Sequence, residues 1–379
     1  MRNESQGRDQ KIYGHRVRAL LSTRTLPAKL HSVAPYIGKM RPEIASWAIN
    51  TVTAPGDTIL DPFCGSGTVL LEGWLQGRNV IGTDLNPYAA LVTSAKLNPY
   101  TSTKVLNIDD ILNQYSVEAS MAAETIDLSI VDPWVLSFYN ELTAIDLISW
   151  VSVLKRHQDD FALACLMGIA HHQRPGFLSY PSSHTTPYLR TSKFPIEDFP
   201  ELYGYRDVLS RLKKKILRAT SKLPSLDDAL RREVILQDAA KLHLESKVDA
   251  IITSPPYMGQ LDYARDNRLR LKLLGIDDWY TLNREISPNA RRFVEHMNSC
   301  LGSWRHLLKP GGKLAILVGG TTNTVKKRLD DLVLNMVSTG FEDYRLKEII
   351  VSDIPDARRA RKNCKGSVSE SLLLFEYLP

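Results

Sequence analysis

Two short stretches of this chain carry residues whose types and spacing could do chemistry. The first is Thr253-Ser254-Pro255-Pro256-Tyr257, which follows the apolar run Ala250-Ile251-Ile252. Its prolines carry no N–H, so it offers mainly hydrogen-bond acceptors, namely carbonyls and the hydroxyl of Ser254. Beside the aromatic face of Tyr257, such a site suits a planar heterocycle that donates from an exocyclic amine. Taken alone, these five residues are equally consistent with a proline-rich turn after a strand.

The second stretch is TILDPFCGSGTVLLE, residues 58–72, in which a strand runs into a glycine turn and then into a helix. Glycines allow the backbone to approach a ligand closely, and a helix N-terminus favours a carboxylate or phosphate. The next strand, 79–83, ends at Asp84, where a carboxylate can accept hydrogen bonds from both hydroxyls of a ribose. Together these features predict a ligand that contains adenosine.

A parallel sheet must bring the two stretches together, since the loops at the carboxyl ends of its strands share one edge. Two pairs of segments could supply the third and fourth strands. One is 104–111 with 126–134, which ends in Asp132-Pro133-Trp134, and the other is 233–242 with 248–257. We favour the second pair because it keeps the double proline and has a short connection. The first pair lacks one proline and continues as a long helical stretch.

The rest of the C-terminal part fits the same sheet. Helical segments are predicted from 263 to about 308, followed by the Lys-Pro-Gly-Gly turn 309–312 and a strand over 313–318. A helix over 324–338 then leads to strands 344–351 and 369–377, which we expect to form an antiparallel pair.

These motifs resemble those of the S-adenosylmethionine-dependent amino-methyltransferases that modify cytosine N4 or adenine N6 in DNA. Residues 61–68, DPFCGSGT, match the cofactor motif of that family, and residues 253–257, TSPPY, match its catalytic motif. Residues 35–42 are similar, more loosely, to the loop that closes over the methionine part of the cofactor. The resemblance covers about 31–100 and 233–379.

The resemblance implies an α/β class I methyltransferase (Rossmann-like) fold, with a seven-stranded, mostly parallel sheet and an inserted, largely helical target-recognition region. The expected division is an N-terminal arm (1–30), a catalytic domain (31–97 and 233–379) and the insertion (98–232). The arm, polar and rich in Arg, is interpreted as flexible or as a peripheral helix.

The family motifs also imply which residues act. The catalytic residues are expected to be Ser254, Pro255, Pro256 and Tyr257. The residues expected to bind S-adenosyl-L-methionine are Lys39, Asp61, Phe63, Cys64, Gly65, Ser66, Gly67, Thr68, Asp84, Leu85, Asn86, Asp238 and Ala239. Among them, Asp238 stands where the family recognises the adenine of the cofactor.

The insertion is the expected reader of the DNA sequence, because loops of this length are usually functional. The helix over 206–222 is strongly basic, which indicates either phosphate contact, the interpretation we favour, or a solvated face. The residues predicted to contact DNA are Arg174, Arg190, Lys193, Lys213, Lys214, Arg358 and Arg359.

Three alternatives bear on the substrate. Cytosine C5 chemistry is set aside because it needs a Pro-Cys pair in the related family, and none of the four cysteines follows a proline. In the family, Ser before Pro-Pro-Tyr favours cytosine N4, with adenine N6 left open. An RNA guanine-N2 methyltransferase is a further alternative. In those enzymes Asn or Asp is more usual before Pro-Pro-Tyr, and an additional RNA-binding domain is generally present. A cofactor-binding subunit without activity is disfavoured by the intact Asp61, Asp84, Ser254 and Tyr257.

Composition sets wider bounds. The chain has 379 residues, 43% hydrophobic and 24% charged, which predicts a soluble globular protein with room for two domains. The formal charge of +6 is compatible with double-stranded DNA as partner but decides little. The four scattered cysteines argue against a metal site and fit a cytoplasmic location. We expect no secretory signal and no membrane segment, and a cognate restriction or defence component stays open as a partner.

Overall fold

The computed structural model describes residues 17–19, 28–171, 174–175, 178, 188–256, 262–286, 290–319, 329–353 and 369–379. The strands within them are β1 (Val17–Ala19), β2 (Thr58–Asp61), β3 (Asn79–Asp84), β4 (Arg232–Leu236), β5 (Val248–Thr253), β6 (Leu308–Gly319), β7 (Tyr344–Asp353) and β8 (Ser369–Tyr377). The α-helices are α1 (Pro42–Val52), α2 (Thr68–Leu75), α3 (Pro87–Leu97), α4 (Ser102–Leu106), α5 (Ile108–Ala123), α6 (Pro133–Leu136), α7 (Glu141–Arg156), α8 (Asp160–Ile169), α9 (Val208–Thr220), α10 (Tyr263–Leu273), α11 (Trp279–Ile286), α12 (Ala290–Leu307) and α13 (Leu329–Gly340).

All the described strands belong to one sheet, in the order β1-β7-β8-β6-β5-β2-β3-β4. Neighbouring strands are parallel except around β8, which is antiparallel to both β6 and β7. The direction of winding reverses between β2 and β5, and open α/β sheets bind their ligands at such a switch point. The predicted mostly parallel sheet is confirmed, with β1 added at one edge to the seven expected strands.

The choice between the two candidate strand pairs is settled by β4 and β5. The segment 104–111 is instead helical and contributes to α4 and α5. Asp132 accepts a hydrogen bond from the Trp134 N–H at 2.8 Å and so caps the short helix α6. Its carboxylate also lies 2.7 Å from Lys272 Nζ. Asp132-Pro133 therefore begins a helix and does not end a strand of the sheet.

The expectation for the N-terminal arm was wrong at one point. Val17–Ala19 pairs in parallel with Ile349–Val351 of β7, so part of the predicted arm is an edge strand and not a helix or a free segment. Three residues are too few to show periodicity, and the backbone groups along an edge strand will pair with a segment of almost any sequence. Residues 1–16 and 20–27 lie outside the described part of the chain.

The sheet is covered on both faces because its strands alternate their side chains. Ile251 of β5 belongs to the cluster that contains Trp304 of α12 and Val333 of α13. Its neighbour Ile252 belongs to the opposite cluster, which contains Ile44 of α1. The helices α2 and α3 extend that second layer. Along the described chain, no helix combines the length and the apolar character needed to cross a membrane.

The insertion 98–232 is largely helical, as predicted, and it continues the hydrophobic core of the catalytic part. Every residue from Phe161 to Ile169 in α8 is buried, as expected for a helix that is apolar all round. One cluster joins Trp150 of the insertion with Tyr88 and Val92 of α3. The insertion therefore packs as an outer helical layer on α3, and its stability is tied to that of the sheet.

Gly168 of α8 gives a test of this shared core. A Cβ there would lie 2.3 Å from the carbonyl oxygen of Val33. We expect Gly168→Ala to lower the free energy of unfolding by about 1–3 kcal/mol, because the main chain must move to admit the methyl group. Urea denaturation, followed by circular dichroism, measures this loss in a single transition.

Gly302→Ala is the matched control, since Gly302 also lies inside a helix but its Cβ would meet Phe341 only at 3.8 Å. Helix propensity should leave that variant as stable as wild type or slightly more stable. Two separate unfolding transitions in the wild-type protein would contradict the shared core.

Candidate active site

The two motif loops meet at one edge of the sheet. Strands β2 and β5 are direct neighbours, with Ile59 opposite Ala250 and Leu60 opposite Ile251. Beyond them, the Thr253 hydroxyl donates a hydrogen bond of 2.6 Å to Asp61 Oδ1, across 192 positions of sequence. The predicted cofactor motif and the predicted catalytic motif are therefore in direct contact.

A cleft of about 760 Å³ opens at this edge. The predicted residues that line it are Lys39, Asp61, Phe63, Cys64, Gly65, Ser66, Thr68, Asp84, Leu85, Ala239, Ser254 and Pro256. Pro255 is buried next to Ser254, and Gly67, Asn86 and Asp238 adjoin lining residues in sequence. Tyr257 lies outside the described residues. The cleft thus gathers most of the predicted cofactor site around the predicted catalytic serine.

The glycine turn leaves polar atoms available to a ligand. Gly65 and Gly67 have φ of +50° and +69°, in the left-handed region that favours glycine. Gly67 begins α2 without a capping side chain. The hydroxyls of Ser66 and Thr68 are buried and have no hydrogen-bond partner among the residues that the structure describes. Since buried polar groups are normally paired, this turn fits the charged amino-acid end of a ligand.

Asp84 ends β3 as the sequence predicted. Its carboxylate accepts hydrogen bonds from the Gly65 N–H at 2.9 Å and from the Asn86 N–H at 2.8 Å. Burial raises the pKa of Asp84 to about 6, although the backbone hydrogen bonds oppose the shift. The Asn86 side chain caps α3 by accepting from the Tyr88 N–H at 3.0 Å. Asp84 is therefore held rigidly between the glycine turn and the start of the next helix.

Asp61 is more deeply buried than Asp84 and has a different structural role. It is 3% exposed, and it accepts from Thr253 and, at 3.2 Å, from the Phe63 N–H. Burial raises its pKa to about 7, with the hydrogen bonds from Thr253 and Phe63 acting against the shift. These contacts make Asp61 the connection between the two loops.

His296 is a cleft residue that sequence reasoning missed. Its ring nitrogen Nε2 lies 2.9 Å from Asp238 Oδ1, and Phe63 packs edge-on against the ring at 5.9 Å. Burial alone would raise the pKa of Asp238, but the hydrogen bonds from His296 and the Ala240 N–H lower it below its ordinary value. His296 lies on α12, 58 positions from Asp238, and no motif marks it.

Two aromatic residues of the cleft were also missed. Tyr36 stacks between Tyr88, at 6.1 Å, and Tyr263, at 6.5 Å. With Gly38, Lys39 and Met40, Tyr36 places the segment 35–42 against the cleft, where the family resemblance put it. That resemblance could have identified Tyr36, whereas no pattern distinguished Tyr263 at the start of α10.

The predicted DNA-binding residues that the structure describes belong to the insertion, and none of them is among the residues that line the cleft. Lys213 of α9 pairs with Asp109 of α5, and Lys214 of α9 is exposed. Arg174 and Lys193 lie over the ring of Phe194 at 5.3 and 5.8 Å, and Arg190 lies over Tyr188 at 5.7 Å. Arg358 and Arg359 are outside the described residues, and contact between DNA and any of these bases stays a prediction. Within the described ranges, no three His, Cys, Asp or Glu side chains are grouped as metal ligands would be.

Comparison with known proteins points in the same direction as the cleft. The sequence profile of the DNA methylase family (N6_N4_Mtase) matches residues 29–94. The chain is 21% identical to the type II methyltransferase M.MjaII of Methanocaldococcus jannaschii, over 81% of this chain and 75% of that enzyme. It is 32% identical to a tRNA (guanine(10)-N2)-dimethyltransferase of Methanothermobacter thermautotrophicus, over only 26% of this chain and 28% of that protein.

Among solved structures, TrmN from Thermus thermophilus is similar with a TM-score of 0.38 and 13% identity, over 92% of this chain and 52% of TrmN. The sheet topology, the cleft and the sequence similarities together indicate a methyltransferase that uses S-adenosylmethionine.

Proposed function

We propose that this protein transfers a methyl group from S-adenosyl-L-methionine to the exocyclic amine of a base in double-stranded DNA, with cytosine N4 as the favoured acceptor. The observation that carries the proposal is the hydrogen bond from Thr253 to Asp61, which joins the ends of β5 and β2. Ser254, the next residue, lines the same cleft as Asp61. The match to the DNA methylase family and the similarity to a type II methyltransferase support DNA as the substrate.

The residues of the cleft fit the cofactor part by part. Asp84 is placed to accept hydrogen bonds from the ribose hydroxyls. The unpartnered hydroxyls of Ser66 and Thr68 suit the amino and carboxylate groups of the methionine part. Asp238, fixed by His296, suits the adenine amino group. When bound, the cofactor supplies an electrophilic methyl group on a positively charged sulfur.

Ser254 and Pro255 activate the amine of the base. The lone pair of such an amine is delocalised into the ring, so the amine is a weak nucleophile. If the Ser254 hydroxyl and the Pro255 carbonyl accept its two hydrogens, the nitrogen moves toward tetrahedral geometry and its lone pair is localised for attack. Acceptors placed in advance in this way stabilise the charge that develops in the transition state. The base must leave the duplex to reach them, and Tyr257 is proposed to stack on it.

The scheme needs no covalent intermediate with the protein. Cys64 lines the cleft, but burial and the neighbouring carboxylates Asp84 and Asp61 raise the pKa of its thiol well above the ordinary value. A thiol held in this state is a poor nucleophile. The proton released by the amine is proposed to pass to water.

Guanine N2 in tRNA is a second candidate acceptor, because a tRNA dimethyltransferase matches part of the chain. Guanine N2 and adenine N6 are also exocyclic amines, so the same acceptors could serve them. The Ser before Pro-Pro-Tyr is the residue that favours cytosine N4 among these acceptors.

Mass spectrometry of nucleosides identifies the acceptor. Plasmid DNA and tRNA are isolated from cells that express the protein, then digested and analysed. We expect N4-methylcytosine in the DNA, above the level in cells that express Ser254→Ala. N6-methyladenine alone would overturn the assignment to cytosine. Modified guanine in tRNA, with unmodified DNA, would overturn the assignment to DNA.

Ser254→Ala tests the proposed activation of the amine. Loss of one such hydrogen-bonding group should lower kcat by about 10²–10³-fold, and S-adenosylmethionine should bind with unchanged affinity in calorimetry. The exposed Ser120, which donates to the Ser116 carbonyl on α5, provides the control variant Ser120→Ala. A Ser254→Ala protein as active as this control would contradict the assigned role.

Asp84 should make cofactor binding sensitive to pH. Its pKa is raised to about 6, and a protonated carboxyl loses acceptor capacity for the ribose. We expect the affinity for S-adenosylmethionine to fall as the pH drops below 6, by up to about tenfold per unit. In Asp84→Asn the affinity should be weaker at pH 8, and calorimetry should show that the part of the pH dependence near 6 is lost, while any contribution of Asp61, whose pKa is raised to about 7, is kept. The fully exposed Asp127, changed to Asn, should reproduce the wild-type pH profile, and a flat wild-type profile would refute the assignment.

A further inference from the structure

A second cleft adjoins the cofactor cleft, and Lys39 lines both. It encloses about 810 Å³ between the segment 29–39 and the helices α8 and α9. Four of the described residues that line it are Lys or Arg. No Asp or Glu is among the described lining residues. The bases are Lys29, Lys39, Lys215 and Arg218.

The two inner lysines are oriented by carbonyl groups. Lys39 Nζ donates to the carbonyl of His31 at 3.2 Å, and Lys215 Nζ donates to the carbonyl of Ser32 at 2.7 Å. A carbonyl fixes the direction of an ammonium group but leaves its charge uncompensated. Burial lowers the pKa of both lysines, and the nearby charges of Arg218 and Lys39 lower that of Lys215 further. A bound anion would relieve this repulsion.

The helix α9 turns a defined face toward this cleft. Lys215 and Arg218 are three positions apart and so lie on the same side of the helix. Lys213 lies on another side, where it pairs with Asp109. The buried side chains of Leu212 and Ile216 fix this rotation. Lys215 and Arg218 of this basic helix therefore line the second cleft, while contact of Lys213 and Lys214 with DNA stays a prediction.

We propose that this basic cleft binds a phosphodiester group of the nucleic-acid substrate. The inference rests on the proposed function, since a strand whose base enters the catalytic cleft must bring backbone phosphates beside it. Lys29 and Arg218 are exposed and can meet a macromolecule from solvent. The methionine carboxylate of the cofactor is a poorer occupant, because the cofactor cleft has its own unpartnered groups at Ser66 and Thr68.

The test is the salt dependence of binding to a short fluorescent DNA duplex. The affinity of a protein for duplex DNA falls with log[salt] with a slope of about −0.9 per phosphate neutralised. We expect the double variant Lys29→Gln/Arg218→Gln to reduce the magnitude of the slope by about 1. Both side chains are exposed, so the fold should tolerate the change. Lys215→Gln, checked for folding by circular dichroism, tests the interior of the cleft in the same way.

Lys247→Gln is the matched control. Lys247 is exposed, directly precedes β5 and lines neither cleft. This variant removes the same type of charge and should keep the wild-type slope. Titration with S-adenosylmethionine, made in parallel, should give the same affinity for all these proteins.

The outcomes separate this inference from the proposed function. An unchanged slope in the cleft variants, with DNA methylation intact in the wild type, would overturn the inference alone. An unchanged slope together with weaker cofactor binding would assign the cleft to the cofactor and would likewise overturn it. A wild-type protein that binds S-adenosylmethionine but neither binds nor methylates DNA would overturn the proposed function.

Discussion

The hydrogen bond from Thr253 to Asp61 is the contact on which the geometry of the cleft depends. A buried carboxylate is unfavourable unless it is hydrogen-bonded, and Asp61 is 3% exposed. If the end of β5 moved away, it would leave that carboxylate without its closest donor. The direct pairing of β2 with β5, just before these two residues in sequence, stabilises the same arrangement. The groups proposed to hold the methyl donor and those proposed to present the acceptor thus follow adjacent strands of one sheet.

Helix α3 connects the glycine turn of the cleft to the insertion. On one side, its Thr93 hydroxyl donates to the Gly65 carbonyl at 2.9 Å and its buried Lys96 ammonium donates to the Ser66 carbonyl. The Tyr88 hydroxyl donates to the Pro35 carbonyl at 2.8 Å, so the same helix also holds the segment that borders the cleft. On the other side, α3 packs against α8 within one core. Changes in the insertion can therefore reach the glycine turn through a single rigid helix.

Local chemistry explains which parts of the site were predictable from sequence. The glycine turn and the double proline require particular backbone conformations, so they identified β2, β5 and the carboxylate of Asp84 at the end of β3. His296 and Tyr263 reach the cleft only through tertiary packing of helices far along the chain, and no spacing marks them. Likewise, the seven bases of the 206–222 segment could be read from the sequence, but the face that α9 presents depends on how Leu212 and Ile216 pack. The edge strand β1 follows from unpaired backbone groups of β7, which side-chain patterns do not report.

The two clefts differ in their ionisable residues, and Lys39 lines both. Asp61 and Asp84 lie in the first, where burial raises the pKa of both carboxyls. A ligand that carries a positive sulfur would favour their ionised forms and would be stabilised by them in turn. The second cleft gathers bases without a described acid in its lining, which suits a phosphate. Under the proposed function, a negatively charged nucleic acid would be drawn toward the basic side and the cationic methyl donor would be retained by the carboxylates. The two substrates would then approach the protein without competing for one binding surface.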